Sequence, residues 1–294
     1  MSRSIGRLAS AAGVARIVSA ERVVVAGVDG SPAAEWALQW AADEAARRHA
    51  VLRVVHAGDH RFGRPGGSGG PRVLSEAVDR ATARQPLVTV RATWTSEAPA
   101  LALVEASELA ELLVVGVGGG WLAELVLGSV SRYCLRHAAC PVAVVSHRPP
   151  AVASAAAGPV VVGVDGSAGA DAALRWALDE APSLGSPVRA MFCWQYPPVG
   201  SFLPGPAEGY RARAEEVVAR ATAKAAAWRP DVGCSVEERF GDPADVLLEA
   251  AATASLLVLG SRPPHDLHDL LGSVPEQCSR ASACPLVVVR GRAG

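Results

Sequence analysis

The chain repeats itself, and this constrains its fold more than any other feature. Gly27-Val28-Asp29-Gly30-Ser31 recurs as Gly163-Val164-Asp165-Gly166-Ser167, and Ala37-Leu38 with Trp40-Ala41 recurs as Ala173-Leu174 with Trp176-Ala177, at an offset of 136 residues (29 to 165). Leu127-Gly128-Ser129-Val130 then recurs as Leu271-Gly272-Ser273-Val274, and Ala139-Cys140-Pro141 as Ala283-Cys284-Pro285, at an offset of 144 (128 to 272). Matching segments at nearly fixed spacing mean one fold built twice, with a small insertion in the middle of the second copy. A length of 294 residues agrees with about two domains. The expected division is an N-terminal extension over 1–20, domain one over 21–147, a linker rich in Pro, Ala and Ser over 148–158, and domain two over 159–291.

Within each copy the apolar pattern alternates between strand and helix. Val23–Val28 reads as a buried strand and Pro32–His49 as a helix; Val51–Ala57 reads as a second strand, followed by a Gly/Pro-rich loop over Gly58–Arg72 and a helix over Val73–Arg84. Leu87–Trp94, Leu112–Gly116 and Val142–Ser146 read as strands three to five, with helices over Pro99–Ala110 and Ser129–Arg136. The same order runs from Val160 to Arg290. Continuously apolar strands separated by helices predict an α/β chain of two tandem doubly wound domains, each a five-stranded parallel sheet with helices on both faces.

Composition narrows the function. The chain is 50% hydrophobic but only 5% aromatic, so its core rests on many small aliphatic contacts. A net charge of −1 provides no basic field for nucleic acid or an anionic membrane. Lys224 is the single lysine, and it lies in an Ala-rich stretch that reads as a solvated helix. A Walker A loop and a kinase strand lysine are thereby excluded, and any phosphate has to be held by backbone N–H groups, helix N-termini, Arg or a metal. The six cysteines form no CxxC pair, which argues for buried thiols rather than zinc or redox chemistry. The first 20 residues make a poor signal peptide, and no run reaches the roughly 20 apolar residues of a membrane helix. The expected location is cytoplasmic.

In an open parallel sheet, ligands gather beyond the carboxyl ends of the strands where strand order reverses. Three segments reach that edge in copy one: Asp29-Gly30-Ser31, His56-Ala57-Gly58, and Gly116-Val117-Gly118-Gly119-Gly120 with Gly128-Ser129 beyond it. Glycines there admit a ligand close to the backbone, and a helix N-terminus offers N–H groups to an anion. The turns' own need for positive φ accounts for such glycines equally well. Ser273-Val274-Pro275-Glu276 fits a capping box, which would make Ser273 a helix cap. The dinucleotide fingerprint fails, because Gly163-x-x-Gly166-x-x-Gly169 has the wrong spacing.

The first-strand Gly-Val-Asp-Gly-Ser, the late Gly-x-x-Gly with Gly-Ser, and Cys-Pro-Val before the last strand resemble the universal stress protein family, in two tandem copies from about Glu21 to Arg290. The resemblance implies binding of ATP or another adenine nucleotide, with or without Mg, at the carboxyl edge of each sheet. Carried over, Asp29 would sit near ribose and adenine and Ala57 would offer backbone to the adenine edge. Gly116, Gly119, Gly128 and Ser129 would hold phosphates, with Val130 in the same set. Copy two contributes Asp165, Cys193, Gly260, Gly272 and Ser273. Pairing through last strands, as family members do, would make Val142–Ser146 and Val287–Arg290 the seam of an intrachain pseudo-dimer, with a homo-oligomer left open. The chain departs from the family pattern in two ways. Eight residues rather than nine separate Gly119 from Gly128, and Pro263, which has no N–H, replaces the second glycine in copy two. Domain one is therefore expected to be the better site and domain two degenerate.

Other residues carry less. His265 and His268 with Asp266 and Asp269 read as a polar loop before a metal site, His56 as a strand-end histidine, and Trp194 as either a base-stacking ring or a cover over a vacant pocket. No nucleophile and base stand at supporting spacing. The leading expectation is a non-catalytic, stress-responsive nucleotide binder that acts through an unknown protein partner. The alternatives are a slow Mg-dependent ATPase using Asp29, or a scaffold that binds no nucleotide.

Overall fold

A computed structural model of the chain describes residues 21–58, 69–117, 127–146, 158–195, 207–261 and 272–291. Domain one runs β1 (Val23–Gly27), α1 (Pro32–Arg48), β2 (Val51–Ala57), α2 (Gly69–Arg84), β3 (Val90–Thr95), α3 (Pro99–Ser107), β4 (Leu112–Val117), α4 (Ser129–His137) and β5 (Val142–Ser146). Domain two repeats it as β6 (Val160–Gly163), α5 (Ala168–Leu184), β7 (Val188–Trp194), α6 (Ala207–Trp228), β8 (Cys234–Phe240), α7 (Pro243–Ala251), β9 (Leu256–Ser261), α8 (Ser273–Ala281) and β10 (Leu286–Arg290). No helix among the described residues is long and apolar enough to cross a membrane.

The strands form one ten-stranded sheet in the order β3-β2-β1-β4-β5-β10-β9-β6-β7-β8. Each half is parallel, and the two meet where β10 pairs antiparallel with β5, Val287 opposite Ala143. The last strands therefore join the two copies within one chain, as the resemblance implied. Because the sheet is continuous, the packing on each face is continuous too. One face carries α1, α2, α5 and α6 over Val24, Leu52, Leu112, Val162 and Val258, and the other carries α3, α4, α7 and α8 over Val25, Leu113, Val161 and Leu257.

Alanine sets how closely the helices approach. On α1, Ala33, Ala34, Ala37, Ala41, Ala42 and Ala45 are buried, so the helix backbone lies close against the sheet. A Cβ on Gly116 would lie 2.5 Å from the carbonyl carbon of Ala33. The equivalent Gly260 meets the backbone of Gly169 and Ala170 in the same way.

Some sequence expectations need correction. Helix α2 starts at Gly69, so four residues assigned to a loop are helical. Strand β3 starts at Val90 rather than Leu87, because Val88 N–H closes a turn onto Gln85 O and leaves Leu87 exposed. Lys224 is not freely solvated: it pairs with Asp171 of α5 and stands 5.8 Å from the Trp228 ring centroid. Segments 1–20, 148–157 and the histidine pair 265/268 lie outside the described residues.

Candidate functional site

In each half, the chain leaves β1 or β6 toward one side of the sheet and returns through β4 or β9 on the other, so strand order reverses between those two strands. A cavity of about 290 Å³ opens there in domain one, near the lower end of the ~300–1,000 Å³ usual for ligand pockets. It is lined by the end of β1, the Asp29 turn, Ala57 after β2, Gly116 on β4 and the start of α4. Asp29, Ala57, Gly116, Gly128, Ser129 and Val130 are thus brought to one cavity from four segments of chain. Domain two has a cavity of about 320 Å³ lined by Asp165, Cys193, Gly260, Gly272 and Ser273 among others. Every site residue expected from the sequence lines its pocket except Gly119, which lies outside the described residues, as does Pro263.

The turn after β1 is built by its own side chains. Gly30 has φ of +82°, a conformation that favours glycine, and the Asp29 carboxylate accepts the Ser31 N–H at 2.9 Å. Ser31 in turn caps α1 by accepting the Ala34 N–H at 3.2 Å. Domain two repeats the arrangement with Asp165, Gly166 and Ser167. One carboxylate oxygen of each Asp is therefore engaged in holding the turn, and each Asp lines its cavity.

The glycines separate into two kinds. Gly116 and Gly260 are required by the fold, since a side chain at either would run into the helix backbone. Gly128 is different. It has φ of −60°, available to any residue, and a Cβ there would meet nothing within 4 Å among the described residues. It is the N-cap of α4, yet no side chain caps that helix. The first N–H groups of α4 thus open toward the cavity with no helix partner, the arrangement that favours an anion. At α8 the N-cap is likewise Gly272, with no side-chain cap. The capping box expected at Ser273 does not form, because Glu276 N–H already bonds Gly272 O and places Ser273 inside the helix.

Neighbouring residues play structural parts. His56 Nδ1 is 2.8 Å from Val28 O, tying β2 to the turn after β1. Trp194 is not among the lining residues of the domain-two pocket; its ring packs edge-on against Phe240 with centroids 5.1 Å apart. Burial pushes the Cys134, Cys140 and Cys278 thiols up to about 12. Cys140 sits in the connection before β5. Among the described residues no group of three His, Cys, Asp or Glu is placed to hold a metal ion.

The sequence pattern of the universal stress protein family matches the chain twice, over residues 21–146 and 157–290. Two universal stress proteins of Mycobacterium tuberculosis (strain H37Rv) are each 32% identical to it over 287 residues, spanning 91% of this chain and 96% of theirs. A universal stress protein of Mycolicibacterium smegmatis is 31% identical over 296 residues, spanning 92% and 97%. The crystal structure of a universal stress protein from Archaeoglobus fulgidus DSM 4304 superposes with a TM-score of 0.68 at 19% identity, covering 91% of this chain and 98% of that one, a likeness of fold.

Proposed function

Since this chain belongs to the universal stress protein family, we propose that it binds an adenine nucleotide, ATP or a close relative, in the carboxyl-edge pocket of domain one and retains it without turnover. Gly128 carries this reading. It keeps a side chain out of the cavity although neither its backbone angles nor its neighbours among the described residues require a glycine, and it stands where the first turn of α4 leaves N–H groups without a partner in the helix. Space and donors coincide where a phosphate would sit, and no lysine is needed. Asp29 and Ala57 lie across the same cavity, where ribose and adenine would extend. A bound Mg²⁺ would offset phosphate charge and be held through the phosphates themselves. The nucleotide state would then alter contacts with a protein partner.

Mass spectrometry of small molecules released from the purified protein tests the ligand, and phosphate release in the presence of ATP and Mg²⁺ tests turnover. Stoichiometric adenine nucleotide without phosphate release is expected. Phosphate release that scales with protein and falls in Asp29→Ala would instead make the protein a slow ATPase.

A further inference from the structure

The two copies also differ at the seam between them. Arg48, at the end of α1, reaches across to α5, where it bonds both Glu44 and Glu180 and places its guanidinium carbon 5.4 Å from the centre of the Trp176 ring. A cation over an indole face at that distance is attracted by the negative charge of the ring's π cloud. Because β5 and β10 are equivalent strands paired antiparallel, a contact that copy one makes on copy two has a counterpart with the roles exchanged. In that counterpart Leu184 takes the place of Arg48 and Trp40 the place of Trp176, each at the 136-residue offset (48 to 184, 40 to 176). Leu184 brings no charge, and among the described residues no cation lies over Trp40 or Trp36.

A cavity of about 500 Å³ opens there, larger than either carboxyl-edge pocket and within the ~300–1,000 Å³ usual for ligand sites. Trp36 and Trp40 of α1 line it together with Val145 of β5, Leu184 at the end of α5 and Pro285 just before β10. Asp43, Arg47 and Arg84 supply its charged groups. Asp43 accepts two bonds from Arg84, at 3.0 and 2.8 Å, and one from Gln85 at 2.7 Å, while Arg47 bonds Glu44 through Nη2. Each arginine thus has its acid, yet each keeps N–H groups that bond nothing among the described residues, and the two side chains are 27% and 52% exposed. The wall is close to neutral as a whole. It sets an aromatic surface suited to a cation beside guanidinium donors suited to a carboxylate, so a simple cation or a simple anion would use only half of it.

We propose that this seam cavity binds a small zwitterion of the arginine type, its guanidinium laid over Trp40 as Arg48 lies over Trp176 and its carboxylate held by Arg47 and Arg84. The ligand supplies from outside the group that Leu184 does not. The inference is independent of the nucleotide reading, since the cavity shares no lining residue with either carboxyl-edge pocket.

Calorimetric titration of the full chain with three analogues tests it: L-arginine, citrulline, which keeps the carboxylate but has a neutral urea group, and agmatine, which keeps the guanidinium but has no carboxylate. About one arginine per chain is expected, with citrulline and agmatine each at least ten-fold weaker, and saturating ATP should leave the arginine isotherm unchanged. Leu184→Arg, which rebuilds the missing guanidinium in the chain itself, should weaken arginine at least ten-fold, whereas Leu184→Met should stay within about three-fold. Arg84→Gln should bring arginine and agmatine closer together in affinity. No saturable binding of arginine, citrulline or agmatine bound as tightly as arginine, displacement of arginine by ATP, or equal arginine affinity in a folded Leu184→Arg chain and its parent each overturns the proposal. The analogue series uses the unsubstituted protein, so a Leu184→Arg chain that fails to fold leaves the proposal open to refutation by the other arms.

Discussion

Glu44 and Glu180, equivalent residues of the two copies, bring their carboxyl groups together in the seam between α1 and α5, and Arg48 bonds both at 2.5 Å. All three are buried. Arg47 also pairs with Glu44, Ser183 donates to Glu180 at 3.0 Å, and Glu111, itself paired with Arg22, lies 3.9 Å from Arg48. Leu184 stands where a second arginine would complete the symmetry, so one guanidinium bridges two acids. Burial, followed by the charge and hydrogen bond of Glu44, pushes Glu180 up to about 7. Glu44 is also raised by burial, but its bonds to Glu180 and the two arginines bring it below its usual value. The pair thus keeps one proton well above the ordinary carboxylate range.

Stability should follow from that proton. Glu180 holds it in the folded state where the unfolded chain has released it, so its contribution is present below pH ~4.5 and is lost as pH rises toward about 7. Glu44 has the opposite sign and loses its contribution as pH falls below its usual range. The unfolding free energy should therefore decline from pH ~4.5 to neutral pH by on the order of 3 kcal/mol, read as a falling melting temperature, and Glu180→Gln should flatten that decline. An equally steep decline in the Gln variant would refute the shared proton. Arg48→Leu, which copies Leu184, leaves two carboxyls without their bridge and should cost about 3–5 kcal/mol.

The two kinds of pocket glycine make opposite predictions. Gly116→Ala forces a methyl into the α1 backbone and should destabilise domain one by about 3 kcal/mol. Gly128→Ala should alter thermal stability by less than about 0.5 kcal/mol while impairing nucleotide binding. Chemical denaturation of both variants checks this, and comparable losses in the two would undo the distinction.

At the end of α1, His49 adopts φ of 51° in the left-handed region, where the equivalent Gly185 ends α5 with φ of 61°. His49→Gly should gain about 0.5–1 kcal/mol, and Gly185→Ala should lose about 1 kcal/mol although a Cβ there meets open space. Differential scanning calorimetry reads both changes.

The buried thiols should be inert. With Cys134, Cys140 and Cys278 pushed up to about 12 and Cys284 to about 11, the thiolate is scarce at neutral pH. Iodoacetamide at pH 7.5 should leave these four unmodified in the native protein and label them after unfolding. Cys193, half-buried and lining a pocket, should react slowly with the native protein.

Much of this architecture is written in local pattern. Val-rich runs alternating with Ala-rich helices read directly as strands and crossovers, and the repeated Gly-Val-Asp-Gly-Ser marks the same turn twice. The features that escaped depend on distant residues. Whether Gly116 serves a ligand or a helix is decided by how closely Ala33 approaches it, which no local pattern reports. Glu44 and Glu180 each look like an ordinary helix residue until the β5–β10 seam brings the two copies together. The misreading of Ser273 has a local cause: the capping-box spacing is present, but the helix begins one residue earlier, so Gly272 takes the cap position.

The central claim is that domain one holds an adenine nucleotide against Gly128 and the opening turn of α4. Equilibrium titration of the full chain with ATP and Mg²⁺, compared with the same titration of Gly128→Ala, tests it most directly. The account predicts saturable binding to the parent protein and at least ten-fold weaker binding of ATP to the variant, with both proteins melting at the same temperature in the absence of nucleotide. Equal affinity in the two proteins, or no saturable binding to the parent, would contradict it.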